Sequence, residues 1–209
     1  NEGYVDFRVL TANAELTPDK EDFFITFNVD EGVRYKYGTV KIVSEIKGLD
    51  GAQYTEQLTT PSGEWYNASE VERSIDKLTT AIDRLRFTFA EVTPDIDRQK
   101  NGAVVNITYR IHEGPHIFVS RIDIEGNTRT MDKVVRREMA LAEGDAFNKA
   151  KLERSEQRIR DLGYFEDVKV TPIEGGQPDQ SVVKVAVKEK ATGELSFGAG
   201  YSTTDGPLG

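Results

Sequence analysis

Apolar and polar residues alternate along much of the chain, and the alternation recurs. The segment Ile25-Thr26-Phe27-Asn28-Val29-Asp30-Glu31-Gly32 returns as Ile107-Thr108-Tyr109-Arg110-Ile111-His112-Glu113-Gly114, offset by 82. It returns again as Val183-Lys184-Val185-Ala186-Val187-Lys188-Glu189-Lys190, offset by a further 76. Each copy keeps period two for about eight residues, which predicts a half-buried β-strand. A second repeated marker lies upstream of the later two copies. Asn67-Ala68-Ser69-Glu70-Val71-Glu72-Arg73-Ser74 matches Asn148-Lys149-Ala150-Lys151-Leu152-Glu153-Arg154-Ser155. Asn is a good helix N-cap, and Asn67 with Glu70 has capping-box spacing. Val71, Leu78, Ile82 and Leu85, and then Leu152, Ile159 and Leu162, follow at helical spacing. Gly163 stands where a C-cap glycine belongs.

One full unit is legible from these markers. Residues 117–125 predict a strand with a bulge where the alternation slips, and Gly126-Asn127 turns the chain. Thr128 or Thr130 is expected to cap a helix over 131–141, and 149–162 is the second helix. Residues 165–173 and 180–189 form a hairpin across Glu174–Asp179, giving the order β-α-α-β-β. The same order fits 35–113, with a hairpin turn at Lys100-Asn101-Gly102 and a less regular first helix within 49–64. Trp65-Tyr66 is expected to staple the second helix of that unit. The fold class is therefore α+β: tandem units, each a three-stranded mixed sheet packed on two helices. The boundaries are 1–32 (the C-terminal part of an earlier unit), 33–114, 115–190, and a C-terminal segment 191–209. Gly3-Tyr4 resembles Gly163-Tyr164, so the chain is expected to open mid-unit, as a piece of a longer protein. Linkers of two or three residues (31–33 and 113–115) predict an elongated, semi-rigid array.

In the last segment Leu195, Phe197, Ala199 and Tyr201 alternate with Ser196, Gly198, Gly200 and Ser202. That pattern fits the first strand of an outer-membrane β-barrel and also an ordinary strand of a soluble sheet. No apolar run approaches the length of a transmembrane helix. Cysteine is absent, which excludes disulfides, Cys-ligated zinc and thiol catalysis. The net charge of −9 comes with no strongly basic segment, so no nucleic-acid partner is expected. His112 and His116 flank Glu113 without a further ligand, so no metal site is expected, and neither is a cofactor. No phosphate loop or nucleophile elbow is present, so the chain is expected not to be an enzyme. The acidic group Asp19, Glu21, Asp22, Asp30 and Glu31 reads either as a partner patch or as a solvated turn. Arg136-Arg137-Glu138 reads either as a partner-binding cluster or as the solvated face of a short helix.

Several motifs together carry a resemblance. Ile124-Glu125-Gly126-Asn127-Thr128, Val135-Arg136-Arg137-Glu138-Met139, Glu143-Gly144, Leu162-Gly163-Tyr164-Phe165-Glu166 and the Gly193–Tyr201 segment resemble the last POTRA domain and barrel entry of the BamA family. Members of that family assemble outer-membrane β-barrel proteins. The resemblance spans essentially the whole chain: the end of a third POTRA domain, complete fourth and fifth domains, and the start of a barrel. It implies a periplasmic scaffold attached to the outer membrane of a Gram-negative bacterium through that barrel. Unfolded outer-membrane proteins would bind by β-augmentation along the second strand of each unit. Those edges run through Phe7, Val9 and Thr11, then Phe89, Glu91 and Val92, and then Phe165, Asp167 and Lys169. The resemblance further implies an accessory-lipoprotein docking role for Glu143 beside Gly144, with Arg136, Arg137 and Glu138 as neighbouring partner-binding candidates. Asp123 stands where a familiar member of the family has a basic residue, which leaves a second docking contact open. Two other readings remain at this stage: the POTRA region of a two-partner secretion or autotransporter-assembly translocator, and a soluble periplasmic ligand-binding domain.

Overall fold

A computed structural model describes Gly3 and residues 8–20, 22–30 and 32–191. Phe7 and the candidate barrel strand over 193–201 lie outside the described residues. The chain divides into two compact units between Gly114 and Pro115.

The first unit opens with an antiparallel hairpin, β1 (Arg8–Leu16) and β2 (Phe23–Asp30), bulged after Val9. Its register sets Val9 opposite Val29, Ala12 opposite Phe27, Ala14 opposite Ile25 and Leu16 opposite Phe23. One face is thus apolar, and its large residues are exposed. In the repeat, Ile25, Phe27 and Val29 correspond to Ile107, Tyr109 and Ile111, which are fully buried. Alternation makes the strand; only helices laid over it make the core.

The remainder of this unit supplies such a cover. It comprises β3 (Lys36–Ser44), a 3-10 turn (Ala52–Gln57), α1 (Ala68–Asp83), β4 (Ala90–Gln99) and β5 (Val104–Glu113). The sheet order is β3-β5-β4, with β5 parallel to β3 and antiparallel to β4. Tyr35, Leu78, Ile82, Val105, Ile107, Tyr109 and Ile111 form the centre of the core. The second unit repeats the plan: β6 (Phe118–Glu125), α2 (Asp132–Arg136), α3 (Lys149–Asp161), β7 (Phe165–Glu174) and β8 (Gln180–Glu189), in the order β6-β8-β7. The predicted bulge is the register shift between Val119 and Arg121. The last strand of each hairpin inserts between the other two, so it is the central strand that carries the repeated alternation and is buried along its apolar side.

The first helix of each unit is shorter than its spacing predicts, for a shared reason. In the first unit only the turn at 52–57 forms; Thr59 N–H donates to Ser74 Oγ (2.9 Å) and Thr59 Oγ1 to Glu70 C=O (2.9 Å). In the second, α2 stops at Arg136, and Ala140 N–H donates to Ser155 Oγ (2.8 Å) instead of continuing the helix. Ser74 and Ser155 are both fully buried and occupy the same place in the Glu-Arg-Ser marker. A buried hydroxyl on the second helix thus draws the backbone out of the first. Three local expectations also change. Thr128 and Thr130 do not cap α2, whose N-cap Met131 has no side-chain cap, because both turn toward Glu189. Asn67 caps α1 by accepting from Ser69 N–H, while Glu70 pairs with Arg73 at 2.8 Å rather than closing a capping box. Trp65 stays partly exposed with the Arg34 guanidinium 3.8 Å above its ring, while Tyr66 is in the core against Tyr37. At the other end of α3, Gly163 adopts φ +74° as its C-cap role requires.

Candidate partner-binding edges

Both second strands, β4 and β7, lie at the edge of their sheets. What an edge offers depends on hydrogen-bond phase, because alternate residues turn their backbone groups in and out. Gly114 N–H donates to Phe89 C=O, so odd-numbered residues along β4 face β5 and even-numbered ones face outward. Phe89 and Glu91 therefore use their backbone within the sheet, while Val92 presents its own to the outside. Glu91 is itself buried: a Cβ on Gly114 would sit 2.6 Å from its carboxyl carbon. In β7, Gly175 N–H donates to Gln180 C=O, which turns Asp167 and Lys169 toward β8. The outward positions are Val168, Val170, Pro172 and Glu174, while the Phe165 side chain is in the core. In the hairpin, Thr17 N–H donates to Asp22 C=O, which turns Thr11 inward too; Val9 sits at the bulge.

Two of the outward backbone groups of β7 are already engaged. Arg160 Nη2 donates to Val168 C=O (2.9 Å), Val170 N–H donates to Glu156 Oε2 (3.4 Å), and Arg160 pairs with Glu156 at 2.8 Å. Pro172 has no N–H at all. The outer edge of β6 is closed in the same style. Its beginning pairs with the loop 144–147: Gly144 N–H donates to Val119 C=O (2.7 Å) and Val119 N–H to Asp145 C=O (2.8 Å). Then Arg136 Nη2 donates to Ile122 C=O (3.2 Å), Ile122 N–H donates to Glu143 Oε1 (3.3 Å), and Arg136 meets Glu143 at 3.4 Å.

Two of the docking candidates, Arg136 and Glu143, are thus brought together on one strand edge. They border an open cleft of about 520 Å³ lined by Ile122, Arg137, Met139, Leu141 and Asp145. Gly144 holds φ +90° at its rim. Arg137, which lines the same cleft, pairs with Glu138 at 3.8 Å. Asp123 is held by Arg121 through two bonds of 2.7 and 2.9 Å, and the Arg121 hydrogen bond holds its carboxyl below the usual range. A further carboxylate, Glu189, went unmarked in the sequence because it reads as a strand-end charge. It accepts from Thr128 Oγ1, Arg129 N–H and Thr130 N–H, and pairs with Arg129. Burial alone would raise its pKa, but the Thr130 and Arg129 backbone donors outweigh burial and hold it down at about 2. Arg129 also donates to Lys190 C=O (2.8 Å), so this clasp ties the 126–130 turn to the end of β8.

Among the described residues, no cluster of three or more His, Asp and Glu side chains is arranged to hold a metal ion. No described helix is long and apolar enough to cross a membrane, which says nothing of β-barrel strands.

Two stretches, 35–114 and 117–190, match the POTRA family, described as a surface antigen variable number repeat. The outer membrane protein assembly factor BamA of Neisseria meningitidis serogroup B is 30% identical over 202 residues, 96% of this chain and 25% of that protein. Its namesake in Nitratidesulfovibrio vulgaris is 32% identical over 206 residues, 97% of this chain and 26% of that protein. The chain thus spans about a quarter of the length of these relatives. Among solved structures, the crystal structure of Haemophilus influenzae BamA POTRA3-5 superposes with a TM-score of 0.52 at 24% identity, covering 90% of this chain and 75% of that one. That likeness supports the fold, and the family match falls on the two β-α-α-β-β units: this chain belongs to the POTRA family, carrying two such units in tandem.

Proposed function

We propose that the chain is the POTRA region of an outer-membrane β-barrel assembly factor. In this reading it is a non-enzymatic periplasmic scaffold that captures unfolded barrel precursors and docks accessory lipoproteins while a C-terminal barrel anchors it in the outer membrane. The observation that carries this reading is the pair of tandem POTRA units aligned over nearly the whole chain with relatives named as assembly factors. Capture suits the architecture: each unit ends in a three-stranded sheet with two edges, and backbone groups on an edge accept any extended chain irrespective of its side chains. Docking suits the cleft beside Glu143, Gly144 and Arg136, where a fixed ion pair, the nearby Arg137–Glu138 pair and apolar Met139 and Leu141 combine charge with apolar surface.

Photo-crosslinkers placed along the sheet edges should trap a urea-unfolded outer-membrane protein diluted into buffer, and no adduct at any edge would refute capture. For docking, Glu143→Lys should weaken accessory-lipoprotein binding while the circular dichroism spectrum is retained. Equal affinity would remove Glu143 from the docking surface.

A further inference from the structure

We infer that, of the four sheet edges in the two complete POTRA units, the outer edge of β3 is the one kept open for an incoming strand. This deepens the capture function proposed above and rests on it. The argument is a comparison of what each edge offers. Along β7, Val168 and Val170 are capped by Arg160 and Glu156, and Pro172 lacks a donor. On β6, Val119 is paired to the loop and Ile122 is capped by Arg136 and Glu143, leaving Ile124 as the one outward position before the turn at Gly126. On β4, the residue equivalent to capped Val170 is Pro94, which faces outward. It removes the donor there and splits the edge into Ala90 and Val92 on one side and Ile96 and Arg98 on the other, with Val92 and Ile96 roughly 13 Å apart.

β3 has none of these devices. It starts as β6 does, with Tyr37 N–H donating to Glu64 C=O and Gly63 N–H to Tyr37 C=O, both 2.8 Å. Glu45 N–H then donates to Ile111 C=O, which turns Lys41, Val43 and Glu45 toward β5 and leaves Val40, Ile42 and Ser44 outward. The residues aligned with Arg136 and Glu143 in this unit are Thr55 and Ser62; neither is a charged side chain long enough to bridge the edge. Among the described residues, no hydrogen bond engages the backbone of Val40 or Ile42. The result is three consecutive outward positions with no proline and no ion-pair cap. A strand laid there would extend the sheet beside the half-buried Val40 and Ile42 on the core side and the exposed Lys41 on the other. The partner this fits is an extended polypeptide of alternating apolar and polar residues, its apolar side chains stacked next to Val40 and Ile42. Unfolded β-barrel strands have that alternation.

The test reads amide hydrogen exchange residue by residue on the unaltered protein, with a ten-residue peptide of alternating valine and serine flanked by lysines as the probe. Added peptide should slow exchange at Val40, Ile42 and Ser44, and leave Val92, Val168 and Ile122 unchanged. Protection confined to β4, β7 or the β1–β2 hairpin would overturn the assignment to β3 while keeping chain capture. No protection anywhere would overturn capture itself, and the β3 assignment with it. Two variants add a gain and a loss. Val40→Pro should weaken peptide binding by about fivefold to tenfold, the worth of one or two strand hydrogen bonds. The double variant Arg136→Met, Glu143→Leu removes both groups that cap Ile122 and should create new protection at Ile122 and Ile124; its absence would show that these two side chains are not what closes β6.

Discussion

Gly126 and Gly144 have nearly the same backbone conformation, φ +89° and +90°, in different surroundings, which makes them a matched pair for testing the packing of the second unit. A Cβ on Gly144 would meet nothing within 4 Å, whereas one on Gly126 would lie 1.9 Å from Val187 C=O. Gly144→Ala should therefore cost only the left-handed backbone penalty, about 1–2 kcal/mol. Gly126→Ala carries the same penalty plus the displacement of the turn from β8. Closest real approaches are near 3.0 Å, so the backbone must move by more than an ångström, and the bonds from Thr128, Arg129 and Thr130 to Glu189 ride on that turn. A total near 4 kcal/mol is expected, at the severe end for a single substitution. Urea unfolding followed by far-ultraviolet circular dichroism measures the loss. Trp65, the one tryptophan, lies in the first unit, so its fluorescence transition should stay in place for both variants. Equal unfolding free energies for the two alanine variants, within about 0.5 kcal/mol, would refute the close approach of the turn to Val187.

Other outcomes follow from individual contacts. Because the folded pKa of Glu189 is depressed to about 2, its stabilisation is fully present above its unfolded pKa near 4.5 and is lost as pH falls toward 2. Glu189→Gln should accordingly be less stable than the parent at pH 7, with the gap in thermal midpoint closing on acidification; a constant gap would point to a shape effect. Asn148 accepts from Lys151 N–H at the start of α3, and Asn148→Ala should cost about 0.5–2 kcal/mol, measured by urea titration. Tyr109→Phe removes the buried partner of Thr60 Oγ1 (2.9 Å) and should cost about 1–3 kcal/mol, whereas a fully tolerated change would mean that Thr60 finds another partner.

Much of the fold could be read in advance because its signals are local. Eight-residue alternation specifies a strand, and an Asn followed by apolar residues at helical spacing specifies a capped helix; both repeated in register, so β5 and β8, and α1 and α3, formed close to where their spacing puts them. The first helices were overestimated because their ends are set by a distant hydroxyl, Ser74 or Ser155, that takes a backbone N–H from the preceding loop. The edge strands β4 and β7 were placed correctly at sheet borders, yet which of their residues face outward could not be read from side-chain alternation. Backbone phase is fixed by the partner strand and shifts with each bulge, as at Val119 and again between Phe165 and Asp167. The pairing of Arg136 with Glu143 across Ile122 lay equally beyond the sequence, where the two residues are seven positions apart on different elements. Sequence by itself determined the repeat, the order of elements and the identity of the family. Tertiary structure alone decided which strand edges are closed, because closure depends on side chains from one element reaching the backbone of another.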